Sequence, residues 1–169
     1  MAPERNGTGE DPGAFVELAD PAMVVVTAAV GDERSGCLAG FHTQCSIDPP
    51  RYAVMLSKSN HTYQTARRAD LLGVNLLDAD QTDIAELFGS HTADDGVDKF
   101  DHCRVASWEQ RVPLIEGAAA WIVGEIVERL DVGDHVLHVL APLRVETSET
   151  GGGPLRFAAI SSLDPGHPA

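Results

Sequence analysis

Residues 117–130, GAAAWIVGEIVERL, and residues 135–145, HVLHVLAPLRV, flank the turn signal Gly133-Asp134. In both stretches apolar residues recur mostly at the two-residue spacing of a strand, not at the 3.6-residue spacing of a helix. The pair predicts a long antiparallel hairpin. So tight a turn cannot join parallel strands, which need a crossover of roughly a dozen residues or more.

Upstream, residues 22–30 (AMVVVTAAV), 51–57 (RYAVMLS) and 71–77 (LLGVNLL) are short apolar runs bounded by turn residues, as expected of buried strands. Residues 36–46, GCLAGFHTQCS, have no helical period and end at the turn signal Asp48-Pro49-Pro50. This run reads as partly strand, and its small and polar residues suit a backbone that approaches a ligand. Two short helices are expected, one in TYQTARRA at 62–69 and one in DQTDIAELFG at 80–89. The second is expected to be capped by Asp78 or Asp80, with Ile84, Leu87 and Phe88 on one face and a stop near Gly89. Residues 90–113 are polar and irregular, with Lys99-Phe100 and Trp108 as isolated anchors. They read as an excursion over the surface or across a partner subunit. Five or more strands with two short helices, and no regular βαβ alternation, favour a mostly β antiparallel barrel over a doubly wound fold. The GxGxxG fingerprint of dinucleotide-binding βαβ units is absent.

The 169 residues fit one domain large enough to bury a core. Residues 1–13 read as a disordered leader, 14–163 as the domain and 164–169 as a short tail. The formal charge of −14 repels the phosphate backbone of nucleic acid and acidic membrane surfaces. No apolar run approaches the roughly 20 residues of a membrane helix. Three cysteines, Cys37, Cys45 and Cys103, include no CxxC pair and read as reduced thiols of a cytoplasmic protein. His42 lies between Cys37 and Cys45, but a metal site there lacks a fourth ligand at a usual spacing.

The turn Ser57-Lys58-Ser59-Asn60-His61-Thr62 joins a strand to a helix, where unpaired backbone N–H groups, hydroxyls and one ammonium can gather around an anion. Serine and asparagine are also common helix caps, and spacing alone leaves both readings open.

Several landmarks follow one another in order: VVVTAAV at 24–30 before a glycine turn, SIDPP at 46–50, LSKSNHT at 56–62 and VNLLDADQTDIAELFG at 74–89. DKF at 98–100, PLIEGAAAWI at 113–122 and Gly133-Asp134-His135 complete the series. Together they resemble the flavin reductase-like family, over residues 21–145. The resemblance implies an antiparallel split β-barrel that binds FMN, with FAD as an alternative, and takes hydride from NADH or NADPH. It implies that Leu38, Ala39, Gly40, Phe41, Gln44, Cys45 and Ser46 lie along the isoalloxazine ring, although the same segment also reads as an ordinary edge strand. It implies that Ser57, Lys58, Ser59, Asn60, His61 and Thr62 hold the phosphate, and that Phe88 lies near the flavin, although a helix-face Phe also reads as core. His135 would orient the nicotinamide, or else is a surface histidine after a turn. A homodimer, with flavin near the subunit interface and a monooxygenase component as acceptor, also follows from the resemblance. Where many members continue to Gly-Glu-Val, this chain reads Leu140-Ala141-Pro142. That departure leaves room for a non-catalytic FMN-binding electron-transfer protein. A barrel for a deazaflavin or haem is a further alternative, because fold does not fix function.

Overall fold

The computed structural model describes residues 9–91, 96–109, 111–149, 151–164 and 166. Helix α1 spans Gly13–Ala19, and strands β1 to β4 follow at Val24–Val30, Glu33–Ala39, His42–Ser46 and Arg51–Ser57. Then come α2 (His61–Ala66), β5 (Leu71–Leu76), α3 (Thr82–Ser90) and a 3₁₀ turn at Lys99–His102. Strands β6 (Val105–Trp108), β7 (Val112–Ile115), β8 (Ala120–Asp131) and β9 (His135–Thr147) precede a last 3₁₀ turn at Phe157–Ile160.

Seven strands form one antiparallel sheet in the order β2-β1-β5-β8-β9-β4-β3. It curls until β2 and β4 come into contact. Val24, Val26, Val54, Leu56, Leu72, Val74 and Leu140 fill the concave side, and Ala66 and Ala69 close it from α2 and the turn that follows. The alternate residues Met23 and Val25 point outward into a second cluster with Phe88, Phe100, Ile115 and Leu155. Strand β1 therefore has both faces covered, which is why its sequence is a continuous apolar run instead of an alternation.

The β6–β7 hairpin is fastened to the outer face by Asn75, which is fully buried. Asn75 Nδ2 donates to Val25 O at 3.0 Å, and Oδ1 accepts from the Ile115 N–H at 2.9 Å. Thr27 Oγ1 donates to Pro113 O at 2.6 Å beside it. Gly73 makes this approach possible, since a side chain there would run into Thr27 and Val112.

The expected hairpin is present as β8 and β9, with two bulges. Val127 is the extra residue on β8 and Leu143 the extra residue on β9, and both are exposed. Residues 36–46 are partly strand as expected, supplying most of β2 and all of β3 at the sheet edges. Other expectations need correction. Helix α3 starts after Gln81, not after an aspartate, because Asp78 is taken into a turn closed by the Gln81 N–H at 2.9 Å. Helix α1 was not anticipated. The excursion at 90–113 contains a 3₁₀ turn, β6 and the start of β7, and packs on its own chain. Residues 92–95 and 110 of that segment, 1–8 of the expected leader, and 165 and 167–169 of the expected tail lie outside the described residues. No helix among the described residues is long and apolar enough to cross a membrane.

Inside the barrel, His138 of β9 is wholly buried opposite Val54 of β4 and Arg129 of β8, with the Tyr63 ring edge-on at 6.2 Å. A carbonyl only accepts, so the 3.1 Å bond to Val136 O puts the proton on Nδ1, and the buried Nε2 has no partner. Burial pushes this imidazole down to about 4.

Candidate functional site

The turn from β4 into α2 is built around Asn60. Its backbone is extended, with φ −84° and ψ 134°, and its Oδ1 accepts from the Thr62 N–H at 2.9 Å, capping the helix. The Asn60 N–H donates to Ser57 O at 3.0 Å. The Ser57 and Ser59 hydroxyls share a bond of 2.8 Å. Folded this way, the turn presents Ser59, Asn60, His61 and Thr62 to one wall of a cleft of about 620 Å³. That volume falls within the roughly 300–1,000 Å³ of ligand pockets.

The facing wall comes from β2, α3 and the 3₁₀ turn. Phe88 lies flat against β2 because position 36 is glycine; a Cβ there would stand 2.8 Å from its ring. Phe100 meets Phe88 edge-on at 5.4 Å, and Lys99 Nζ lies 5.6 Å from the Phe88 ring centre while donating to Gly36 O and Phe88 O, both at 3.3 Å. Three acids at or beside this wall are matched by two arginines. Arg34 bonds Asp98 at 2.8 Å and Asp101 at 2.9 Å. Glu33 accepts from Arg68 at 2.7 Å and from Thr65 Oγ1 at 2.7 Å, with His61 Nε2 at 4.0 Å. The Arg68 guanidinium, more than the Thr65 hydroxyl, holds the Glu33 carboxyl below the usual carboxylate range. Hydroxyl, amide and imidazole side chains of Ser59, Asn60, His61 and Thr62 thus share the cleft with these arginine-paired acids.

Of the residues singled out from sequence, Ser59, Asn60, His61, Thr62 and Phe88 meet on this cleft, and Ser57 stands at its edge. Lys58 does not join them. Its Nζ donates to Asp131 Oδ2 at 2.7 Å and Gly133 O at 2.6 Å, on the β8–β9 turn. Leu38 to Ser46 do not line the cleft either. Leu38 packs against Gly89 of α3, Ala39 against the barrel core and Gly40 against Met23. Gln44 and Cys45 are exposed, Cys45 as the bulged residue of β3, and Ser46 accepts from Gln44 Nε2 at 3.2 Å. His42 is a brace: Nε2 donates to Ala22 O at 2.8 Å, so Nδ1 accepts from the Tyr52 hydroxyl at 2.6 Å. Both ring nitrogens are thus engaged. Cys37 is buried, and burial pushes its thiol up to about 11, so it stays protonated and unreactive.

Half-exposed Phe41 meets His135 at a ring separation of 5.2 Å. His135 stands opposite Ser57 in the β4–β9 register, and its Nδ1 donates to Asp134 Oδ1 at 2.8 Å. The Ser57–Thr62 turn therefore borders both the cleft and the turn that carries His135. Sequence reading missed Glu33, Arg34, Lys99 and Phe100 as wall residues. The signal for the last two was the DKF landmark, which marks Lys99 and Phe100 without saying what they face.

The family described as flavin reductase like domain matches residues 16–161 of this chain. The chain belongs to that family. A flavin reductase of Pseudomonas putida is 31% identical over 146 residues, 82% of this chain and 84% of the relative. A relative in Rhizobium meliloti, named "Probable flavin reductase", is 26% identical over 82% of this chain, and here the chain spans only 43% of the relative's length. Among solved structures, an FMN-binding protein from Thermus thermophilus with bound p-hydroxybenzaldehyde superposes with a TM-score of 0.76 at 29% identity, over 88% of this chain and 83% of the other. An NADH:FAD oxidoreductase from Streptomyces globisporus gives a TM-score of 0.72 at 27% identity, over 85% and 88%. The curled seven-stranded sheet is thus the split barrel of flavin reductase like domains.

Proposed function

We propose that this flavin reductase like domain, over residues 14–163, binds FMN, or FAD in its place, and passes hydride to it from NADH or NADPH. The observation that carries the reading is a single turn, Ser57–Thr62, that links a cleft with anion-type donors to the Phe41–His135 pair. Ser59, His61 and Thr62 hold the phosphate, with Ser57 and Asn60 fixing the turn's shape. Phe88 shapes the cleft wall. The β2–β3 corner, from Leu38 through Gly40 and Phe41 to Gln44, Cys45 and Ser46, supplies backbone for the isoalloxazine ring. The donor set fits a phosphorylated ligand, and the exposed corner fits a flat one.

Hydride chemistry is supplied by the bound flavin and nicotinamide, and the chain contributes orientation and exclusion of water. Asp134 fixes the His135 proton on Nδ1, and the Phe41 ring limits how the imidazole can turn. His135 so held orients the nicotinamide. The Leu140-Ala141-Pro142 departure does not reach this turn: Leu140 lies five residues along β9, about 17 Å at strand spacing, and is wholly buried. That separation favours the reductase reading over a flavoprotein that ignores nicotinamide.

We further propose a homodimer. Strand β4 pairs with β9 only as far as Leu140, so, among the described residues, 141–147 keep an open edge carrying exposed Leu143 and Val145. Such an edge needs cover. The unpaired cysteines favour a reducing compartment such as the cytoplasm. A flavin-dependent monooxygenase component is the acceptor that suits a reductase releasing reduced flavin. Sedimentation of the protein with FMN tests binding and assembly together. Flavin absorbance is expected to travel with a particle of twice the 18.0 kDa chain mass. Flavin that stays at the meniscus, or travels with an 18.0 kDa particle, contradicts binding or pairing respectively.

A further inference from the structure

The clearest disagreement between chemistry expected and chemistry placed is Lys58. A lysine in a phosphate-binding turn is ordinarily taken as a phosphate ligand, yet its ammonium is spent on Asp131 Oδ2 at 2.7 Å and Gly133 O at 2.6 Å. Its backbone N–H also donates to Asp134 O, at 2.9 Å. Asp131 Oδ1 in turn accepts from the Gly133 N–H at 3.2 Å, at a glycine whose φ of +130° few other residues adopt. The Lys58 hydrogen bond, more than that backbone bond, holds the Asp131 carboxyl below its ordinary range. Three bonds from one residue thus fasten the Ser57–Thr62 turn to the turn that carries His135.

We propose that Lys58 is a positioning residue, not a phosphate ligand: it sets the His135 turn relative to the flavin-phosphate turn and so tunes nicotinamide binding. The inference rests on the flavin reductase reading. An exposed ion pair alone contributes little, but here the ammonium also bonds a carbonyl, and the backbone amide beside it pins the same loop. Lys58→Met removes the ammonium bonds and keeps the aliphatic stem.

The KM for the nicotinamide nucleotide is expected to rise about five- to tenfold in Lys58→Met, with kcat and the FMN Kd within about twofold of wild type. Asp131→Asn is expected to match it, the double variant to be no worse than either, and Lys58→Arg to recover most of the loss. In the protein without flavin, exchange of the Val132 amide, which bonds His135 O at 3.1 Å, is expected to quicken about tenfold in Lys58→Met. A weakened FMN Kd with unchanged KM would make Lys58 a phosphate ligand and overturn the proposal. Wild-type exchange at Val132 would overturn it as well. If wild-type protein is not reduced by NADH or NADPH, the flavin reductase reading fails, while the exchange measurement still decides whether the clamp exists.

Discussion

Ser59→Asp is expected to weaken FMN binding about a hundredfold and leave the fold intact. The substitution removes a hydroxyl from the proposed phosphate site and puts a carboxylate against a phosphate dianion. A lost hydrogen bond to a charged group together with like-charge repulsion amounts to roughly 3 kcal/mol, or about two decades in Kd. Stability responds in the opposite sense. Ser59 lies just ahead of the Asn60 cap, where a negative charge is favourable to the start of α2. A thermal midpoint at or above wild type, with FMN lost, would separate site damage from unfolding. Wild-type affinity in Ser59→Asp would mean that the phosphate is held elsewhere.

Acid is expected to destabilise the protein well above the range where carboxylates protonate, because of His138. Its imidazole titrates at about 4 in the folded chain against 6.5 as its ordinary value. The neutral form is the one the fold accepts, so the contribution is fully present above pH 6.5 and is lost as pH falls toward 4. Over that interval the unfolded chain takes up a proton that the folded chain refuses, a difference of up to about 3 kcal/mol. Arg129, the charged neighbour across the sheet, works in the same direction as burial. Denaturant unfolding at pH 7 and pH 5 measures this: wild type is expected to lose stability across that step and His138→Leu to lose much less. Parallel curves would show that the imidazole is not the titrating group.

What could be read from the sequence was what repeats locally. The period of two in residues 117–145 gave the hairpin, and the uninterrupted run at 22–30 gave a buried strand. The bulges at Val127 and Leu143 left no mark, since one extra residue in a long apolar strand does not disturb its composition. The far wall of the cleft was hidden for another reason. Arg34 finds Asp98 and Asp101 at separations of 64 and 67 residues, and such pairings are set by the curl of the sheet, not by neighbouring sequence. Lys58 shows how residue type alone misleads. An ammonium among hydroxyls reads as an anion ligand until Asp131, 73 residues later, is seen to hold it. The Ser57–Thr62 turn itself was legible as a strand-to-helix turn, because a strand end, a cap and a helix start within six residues leave few ways to fold.

The most direct measurement is anaerobic mixing of the FMN-loaded protein with NADH, and separately with NADPH, while following the flavin band at roughly 450 nm. Fast bleaching by at least one nucleotide is expected, and the faster of the two names the donor. A flavin band that persists with both would leave a split barrel that holds FMN without accepting hydride from nicotinamide, and would contradict the reductase function.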